Sequence, residues 1–226
     1  MSDRARYSTP DDLPRRIPVF PLSGALLLPR AQLPLNIFEP RYLAMVDDAL
    51  SGARIIGIIQ PAQEAADAGR PASPPSLLAT GCAGRLTAYA ETPDDRMLIT
   101  LTGIARFRIL EEIPTAGPYR LVEADYAPFA ADFVSNLGEE QVDRPALLKA
   151  FRDFLDARNM GADWDEVAEA SSETLVNIFS ILSPFSPIEK QALLEASDLK
   201  TRADMLVALT EMALGAERGG IGTQLQ

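Results

Sequence analysis

The chain has 226 residues, 47% of them hydrophobic and 23% charged, with 21 basic against 32 acidic side chains and a formal net charge of −11. It contains one cysteine, Cys82, and no histidine. That excludes an intrachain disulfide, Ser-His-Asp and Cys-His catalysis, and His-ligated zinc in cis. A chain of this length buries roughly 70% of its unfolded surface, enough for a core without a disulfide or metal staple.

The charge is unevenly divided. Residues 1–130 carry 13 basic and 15 acidic side chains, and residues 131–226 carry 8 and 17. Nucleic-acid binding draws on Lys and Arg to neutralise phosphates, and this balance is the reverse. The N-terminus is polar, with no secretory signal pattern, and no run approaches the ~18 apolar residues of a membrane span. A cytoplasmic protein without a membrane or nucleic-acid partner is expected.

Residues 1–12 read as a flexible tail. From Arg15 to Val46 come two short apolar runs interrupted by Pro18, Pro21, Pro29 and Pro34. Proline removes a backbone donor and fixes φ, so short extended pieces at sheet edges or bends are expected there. Pro40 suits the first position of a helix, with Glu39 at its positive end. Tyr42, Leu43, Val46, Ala49 and Leu50 share one face of that helix, and Gly52 is its expected left-handed cap. The run Arg54 to Ile59 is β-branched and continuous, as in a buried strand. Residues 61–80, rich in Pro, Ala, Gly and Ser, read as a long loop.

From Gly81 to Ala90 and again from Met97 to Ile109 the chain reads as two hairpin arms about the turn Pro93–Arg96. In the second, Met97, Ile99, Leu101, Gly103, Ala105, Phe107 and Ile109 alternate with Leu98, Thr100, Thr102, Ile104, Arg106 and Arg108. Thirteen residues exceed a usual strand, so a bulge or bend is expected at Gly103. Tyr119 to Asp125 is a further strand. Bent strands joined by hairpins around one short helix imply a small closed or half-closed barrel over residues 13–130.

Residues 131–142 read as an acidic linker and 143–214 as helices. The first begins near Pro145, with Leu147, Leu148, Phe151, Phe154 and Leu155 on one stripe. Asp163 and Glu166 open a second, which continues after a break at Ser171-Ser172 through Leu175, Ile178, Phe179 and Leu182. Ser186-Pro187-Ile188-Glu189 is a capping box, and a last helix starts near Thr201 with Met205, Leu206, Leu209, Met212 and Ala213 inward. Residues 215–226 read as a tail. The fold class is therefore α+β.

Three blocks resemble the Lon protease N-terminal (substrate-binding) domain family, which also occurs as a free-standing protein. The first is Ile17-Pro18-Val19-Phe20-Pro21-Leu22, Leu28-Pro29, Leu33-Pro34-Leu35 and Ile37-Phe38-Glu39-Pro40-Arg41-Tyr42. The second is Gly81, Gly84-Arg85-Leu86, Leu98-Ile99, Leu101, Gly103, Arg106-Phe107 and Ile109. The third runs from Ser186 to Glu195 and from Arg202 to Leu206. The resemblance covers residues 13–214 and implies a PUA-like β pseudo-barrel followed by a helical bundle, with polypeptide segments as partners and no cofactor.

Chemistry is sparse. No phosphate loop Gly-x-x-x-x-Gly-Lys-Ser/Thr is present, and nothing corresponds to the ATPase or peptidase of Lon proteases, so a non-enzyme is expected. Ser197-Asp-Leu-Lys200 fits a Ser-x-x-Lys nucleophile spacing, but the companion motifs are missing and Ser and Asp are ordinary between two helices. The pairs Asp47-Asp48, Asp94-Asp95 and Glu111-Glu112 read as solvated, and Cys82 as a small buried residue. Phe38 and Tyr42 admit two readings. They fill the core while Arg41 pairs with Glu39, or, as the resemblance implies, Phe38, Arg41 and Tyr42 line a peptide groove. Ile104, Arg106 and Arg108, on the outer side of the long strand, are the other candidate contacts, since exposed Arg beside apolar residues is interface material. The resulting expectation is an adaptor or regulator that binds extended polypeptide and presents clients to a protease. A small-molecule sensor on the same fold, and more weakly a carboxylate-dependent hydrolase, are the alternatives.

Overall fold

The computed structural model describes residues 7–62 and 75–221, with α6 side chains described through Ala216. The chain forms two compact units, Met1–Ser135 and Asn136–Gln226.

In the first unit the strands are β1 (Arg16–Pro21), β2 (Gln32–Ile37), β3 (Ile55–Pro61), β4 (Leu77–Glu91), β5 (Met97–Ile113) and β6 (Arg120–Asp125), with helix α1 (Pro40–Ser51) after β2. The order β2-β5-β4-β3-β1-β6 is completed by pairing of β6 with β5. The ring closes because β5 serves two neighbours on one side. Its first half pairs with β2 from Met97 to Thr102, its second with β6 from Arg108 to Ile113, and β4 runs along the other side. Among the described strands only β1 and β3 pair in parallel, which α1 makes possible by carrying the chain back between them.

A strand this long has to bend. Ala83 pairs with Ala105 but Gly84 with Gly103, leaving Ile104 as an extra residue. The bulge therefore sits beside Gly103, where the sequence places it. Gly103 is held by the backbone of the preceding loop: its N–H donates to the Ala31 carbonyl at 2.8 Å, and its carbonyl accepts from Arg30 N–H at 2.7 Å. A Cβ there would lie 2.0 Å from the Leu28 carbonyl oxygen, so only glycine fits.

Inward residues follow the period-2 pattern: Met97, Ile99, Leu101, Gly103, Ala105 and Phe107 are all buried. Phe107 is fully buried among Ile17, Val19, Ile55, Ile59, Val122 and Tyr126. Its ring covers Gly81, whose Cβ would fall 2.6 Å from it. Burying such a side chain contributes about 2–3 kcal/mol.

The second unit holds α2 (Arg144–Ala157), α3 (Trp164–Glu169), α4 (Ser172–Leu182), α5 (Pro187–Glu195) and α6 (Leu199–Ile221). Caps set each start. Asp143 accepts from Ala146 N–H, Asp163 from Asp165 and Glu166, and Ser171 from Thr174, while Ser186 and Glu189 form the reciprocal box. Phe179 stacks at centroid distances of 4.9 Å on Phe151 and 5.2 Å on Phe154. Arg144 donates to the Val167 and Ala168 carbonyls, closing the end of α3. The buried Arg202 donates to the Leu193 carbonyl at 2.8 Å.

Several expectations are corrected. Gly52 is not left-handed (φ −115°); the positive φ falls on Arg54, whose N–H reaches the Ala49 carbonyl. In α1 Met45 is buried and Leu43 and Leu50 only partly. In α4 Ile178 and Leu182 are exposed, and the buried face is Leu175, Val176, Asn177, Phe179 and Ser180. Five of the eleven α4 residues are polar, and four of them, Ser172, Glu173, Asn177 and Ser180, are buried, so a polar-outward reading of the helix fails. In α6 Met212 is exposed, and Arg202, Ala203, Leu206, Thr210 and Leu214 face inward. Residues 7–14 are ordered: Pro10–Asp12 form a 3-10 turn boxed by Thr9, and Leu13 is buried. At the other end α6 runs on to Ile221. Of the expected loop 61–80, residues 63–74 lie outside the described residues, as do 1–6 and 222–226; β4 begins at Leu77.

Candidate functional site

The outer side of β5 is divided by a cover. From Ala127 to Phe133 a 3-10 segment packs against β5. Arg106, expected on an exposed face, is 4% exposed beneath it. Its Nε and backbone N–H each donate to Asp132 Oδ2 at 2.9 Å, and its Nη2 donates to Oδ1 at 2.8 Å. The guanidinium lies 4.8 Å from the Phe129 ring centroid, and Arg30 donates to the Asp132 carbonyl. The expected exposure is overturned because Asp132, in the stretch read as linker, supplies the missing counter-charge. Ile104, at the bulge, is half-buried against the barrel core, and Arg108 beyond it is exposed.

Tyr42 is buried, its ring 4.1 Å from Phe20, and burial raises its phenol pKa. Arg41 stays exposed, bridging Glu39 at 2.7 Å and covering the Tyr42 ring at 4.5 Å. The pairing of Arg41 with Glu39 and the core placement of Tyr42 follow the first reading. Phe38 does not: it is 61% exposed. It follows Ile37, which pairs with Met97 at the start of β5, and the Arg96 guanidinium lies 5.9 Å from its ring. The hairpin carrying Arg96 turns at Asp95, with φ 58°. There the Thr92 hydroxyl above all, then the backbone N–H of Asp94 and last Arg96, lowers the Asp94 carboxyl pKa.

Before the bulge the outer face of β2, β5 and β4 is open. Asn36, Leu98 and Ala90 form one row and Pro34, Thr100 and Ala88 the next. Gln32 and Thr102 begin a third, where Thr87 Oγ1 lies 3.0 Å from Thr102 Oγ1. These residues are exposed or half-exposed, and none is charged. Arg85, opposite Thr102, is half-buried and reaches Tyr7. Leu98 is 48% exposed and Tyr89, near the hairpin tip, 53%. Open sheet faces ordinarily carry charge, and edge strands are guarded by Lys or proline. Here β2 ends the strand order with Pro34 at its centre and no charge. The sequence singled out Phe38 but passed over Leu98, whose signal was the charge-free even positions Leu98, Thr100 and Thr102.

Other candidates resolve into structure. Ser197 bonds to Asp198 and Thr201, and Asp198 caps α6 through Thr201 N–H. Lys200 pairs with Asp204, which raises its pKa and keeps it a cation rather than a base. Cys82 is buried opposite Arg106. Among the described residues no group of three or more His, Cys, Asp or Glu is placed to hold a metal ion, and no helix is long and apolar enough to cross a membrane.

This combination of barrel and helices is the fold of Lon N-terminal domains. A Lon N-terminal domain protein from Xanthomonas campestris matches with a TM-score of 0.59 and 20% identity, over 85% of this chain and 97% of that one. The N-terminal domain of the Mycobacterium avium complex Lon protease matches at 0.64 and 17%, over 87% and 98%. A family model described as the ATP-dependent protease La (LON) substrate-binding domain matches residues 16–211, and the chain belongs to that family. Among relatives, the Lon protease of Desulfosudis oleivorans is 28% identical over 205 residues, covering 86% of this chain and 23% of that protein. Lon protease 2 of Myxococcus xanthus is 26% identical, covering 88% and 24%. The chain thus spans about a quarter of the length of these relatives.

Proposed function

We propose that this protein is a non-enzymatic, cytoplasmic polypeptide-recognition protein, an adaptor or regulator for proteolysis, and that segments bind the open face of β2, β5 and β4. One observation carries the reading: an exposed sheet face without charge, beside the exposed Phe38, in a chain that is 23% charged. Membership of a substrate-binding family supports polypeptide as the ligand class. Apolar side chains of an extended segment lie on Leu98, Ala88 and Ala90, with Phe38 at one corner and Arg41 beside it offering a guanidinium. Arg108, exposed on β5 beyond the cover, is a separate candidate contact. Pro34 offers no donor at the middle of the edge, so backbone pairing is confined to its flanks and side-chain contacts dominate.

The test is fluorescence anisotropy with a library of unstructured peptides. Saturable binding to apolar-rich members, weakened at least about tenfold in Phe38→Ala and Leu98→Lys at unchanged melting temperature, supports the proposal. Binding indifferent to both substitutions refutes the face. No binding at high concentration, with a saturable thermal shift from a small ligand, favours the sensor alternative.

A further inference from the structure

We propose that the exposed face of α4 is a separate docking surface, and that its partner is a basic amphipathic helix. Of its 11 residues only Glu173 is charged. That side chain is buried and accepts from Asn136 N–H at 3.0 Å. The inward side, Leu175, Val176 and Phe179, already supplies the core. The outward side is Thr174, Ile178, Ile181 and Leu182, with Ile178 and Leu182 45% and 57% exposed one turn apart. Lys190 donates to the Ile181 carbonyl, tying α5 to the end of α4. Pro184 is exposed, and Ile188, at the start of α5, is 83% exposed. A surface helix ordinarily presents polar residues outward; α4 instead exposes Ile178 and Leu182 while burying Asn177 and Ser180.

Geometry and charge choose the occupant. Apolar side chains at i and i+4 make a ridge that a second helix accepts between its own rows. Residues 136–226 carry 16 acidic against 8 basic side chains. Exposed Asp165, Glu166 and Glu169 lead directly into the start of α4. A second copy would set one acidic unit against another. A helix with an apolar stripe and Lys or Arg flanks meets both the ridge and the field.

The probe is a fluorescent Leu/Lys two-faced helical peptide of about 18 residues, compared with the same peptide carrying Glu for Lys. The full chain and the variants Ile178→Ser and Leu182→Ser are titrated, with Phe38→Ala as the control for the β face. Both serine variants leave the charge unchanged, and circular dichroism melts verify folding. The proposal expects at least about tenfold preference for the Lys peptide, at least about tenfold weakening in either serine variant, and none in Phe38→Ala. Equal affinity for the Glu peptide overturns it, and so does binding that the serine variants leave intact, which is electrostatic adhesion alone. Sedimentation showing a dimer that Ile178→Ser or Leu182→Ser dissolves also overturns it, since a second copy then covers the face.

Discussion

The two halves of β5 alternate alike and end differently. Before the bulge, the outer residues Leu98, Thr100 and Thr102 meet solvent; after it, Arg106 is buried under Ala127–Phe133. The residue types are the opposite of what hydrophobicity alone dictates, with leucine outside and arginine inside. The difference is the cover. Arg106 is tolerated because a carboxylate, its bonds and an aromatic ring arrive with the covering segment. Among the described residues Leu98 has no such cover, and it is 48% exposed.

The largest test of this contrast removes the partner beneath the cover. Asp132→Ala removes the carboxylate that faces a buried guanidinium and should destabilise the β unit by about 3–5 kcal/mol in urea unfolding, as should Arg106→Ala. Replacing both by Met and Leu should cost less than either single change, because no lone charge is left buried. A cost under ~1 kcal/mol for both single changes would mean that the cover opens readily. Next is the joint between the halves. Gly103→Ala drives a methyl into the Leu28 carbonyl and should cost about 1–3 kcal/mol, with unfolding midpoints as the measurement. On the open half, Phe38→Ala and Leu98→Ala should each change stability by less than ~0.5 kcal/mol. A loss of several kcal/mol from either would return it to the core.

Much of the fold was legible because its signals are local. Pro40 begins α1, Ser186 and Glu189 close a box, and the β5 alternation sets an inner face that the structure keeps from Met97 to Phe107. The motif residues that suggested the family turn out to be joints: Gly81 makes room for Phe107, Gly103 for the Leu28 backbone, Arg106 holds the cover, and Arg202 ties α6 to α5. Such residues identify a fold without indicating where it binds. Phe38, Leu98 and Ile188 are the large apolar residues within those blocks that remain substantially exposed. What was not legible was the cover itself. Asp132 lies 26 residues from Arg106 in sequence, and no periodicity announces a pairing at that distance. The outward turn of Ile178 and Leu182 was hidden for a different reason, since the buried side of α4 includes the polar Asn177 and Ser180, which a sequence reading sets outside.

The smallest predicted effect compares a buried tyrosine with a half-buried one. Tyr126 leads into the covering segment, donates to the Pro14 carbonyl at 3.1 Å, and has its pKa raised by burial. Tyr119 is half-buried; its hydroxyl donates to Asp48 at 2.6 Å, and that bond above all raises its pKa to about 12. An unfolded tyrosine titrates near ~10. Between pH ~10 and ~12 the unfolded chain therefore releases a proton that folded Tyr119 keeps, and stability falls as pH rises through that window. Below pH ~10 the contribution is fully present. Solvent screening keeps it small. Tyr119→Phe removes the titrating group, so urea midpoints measured from pH 9 to 12 (roughly the window above) should fall less steeply than in the parent. The slope that remains belongs in part to Tyr126, and Tyr126→Phe should flatten it further. An unaltered slope in Tyr119→Phe would mean that the Asp48 contact does not persist in solution, leaving the alkaline response to the covered side alone.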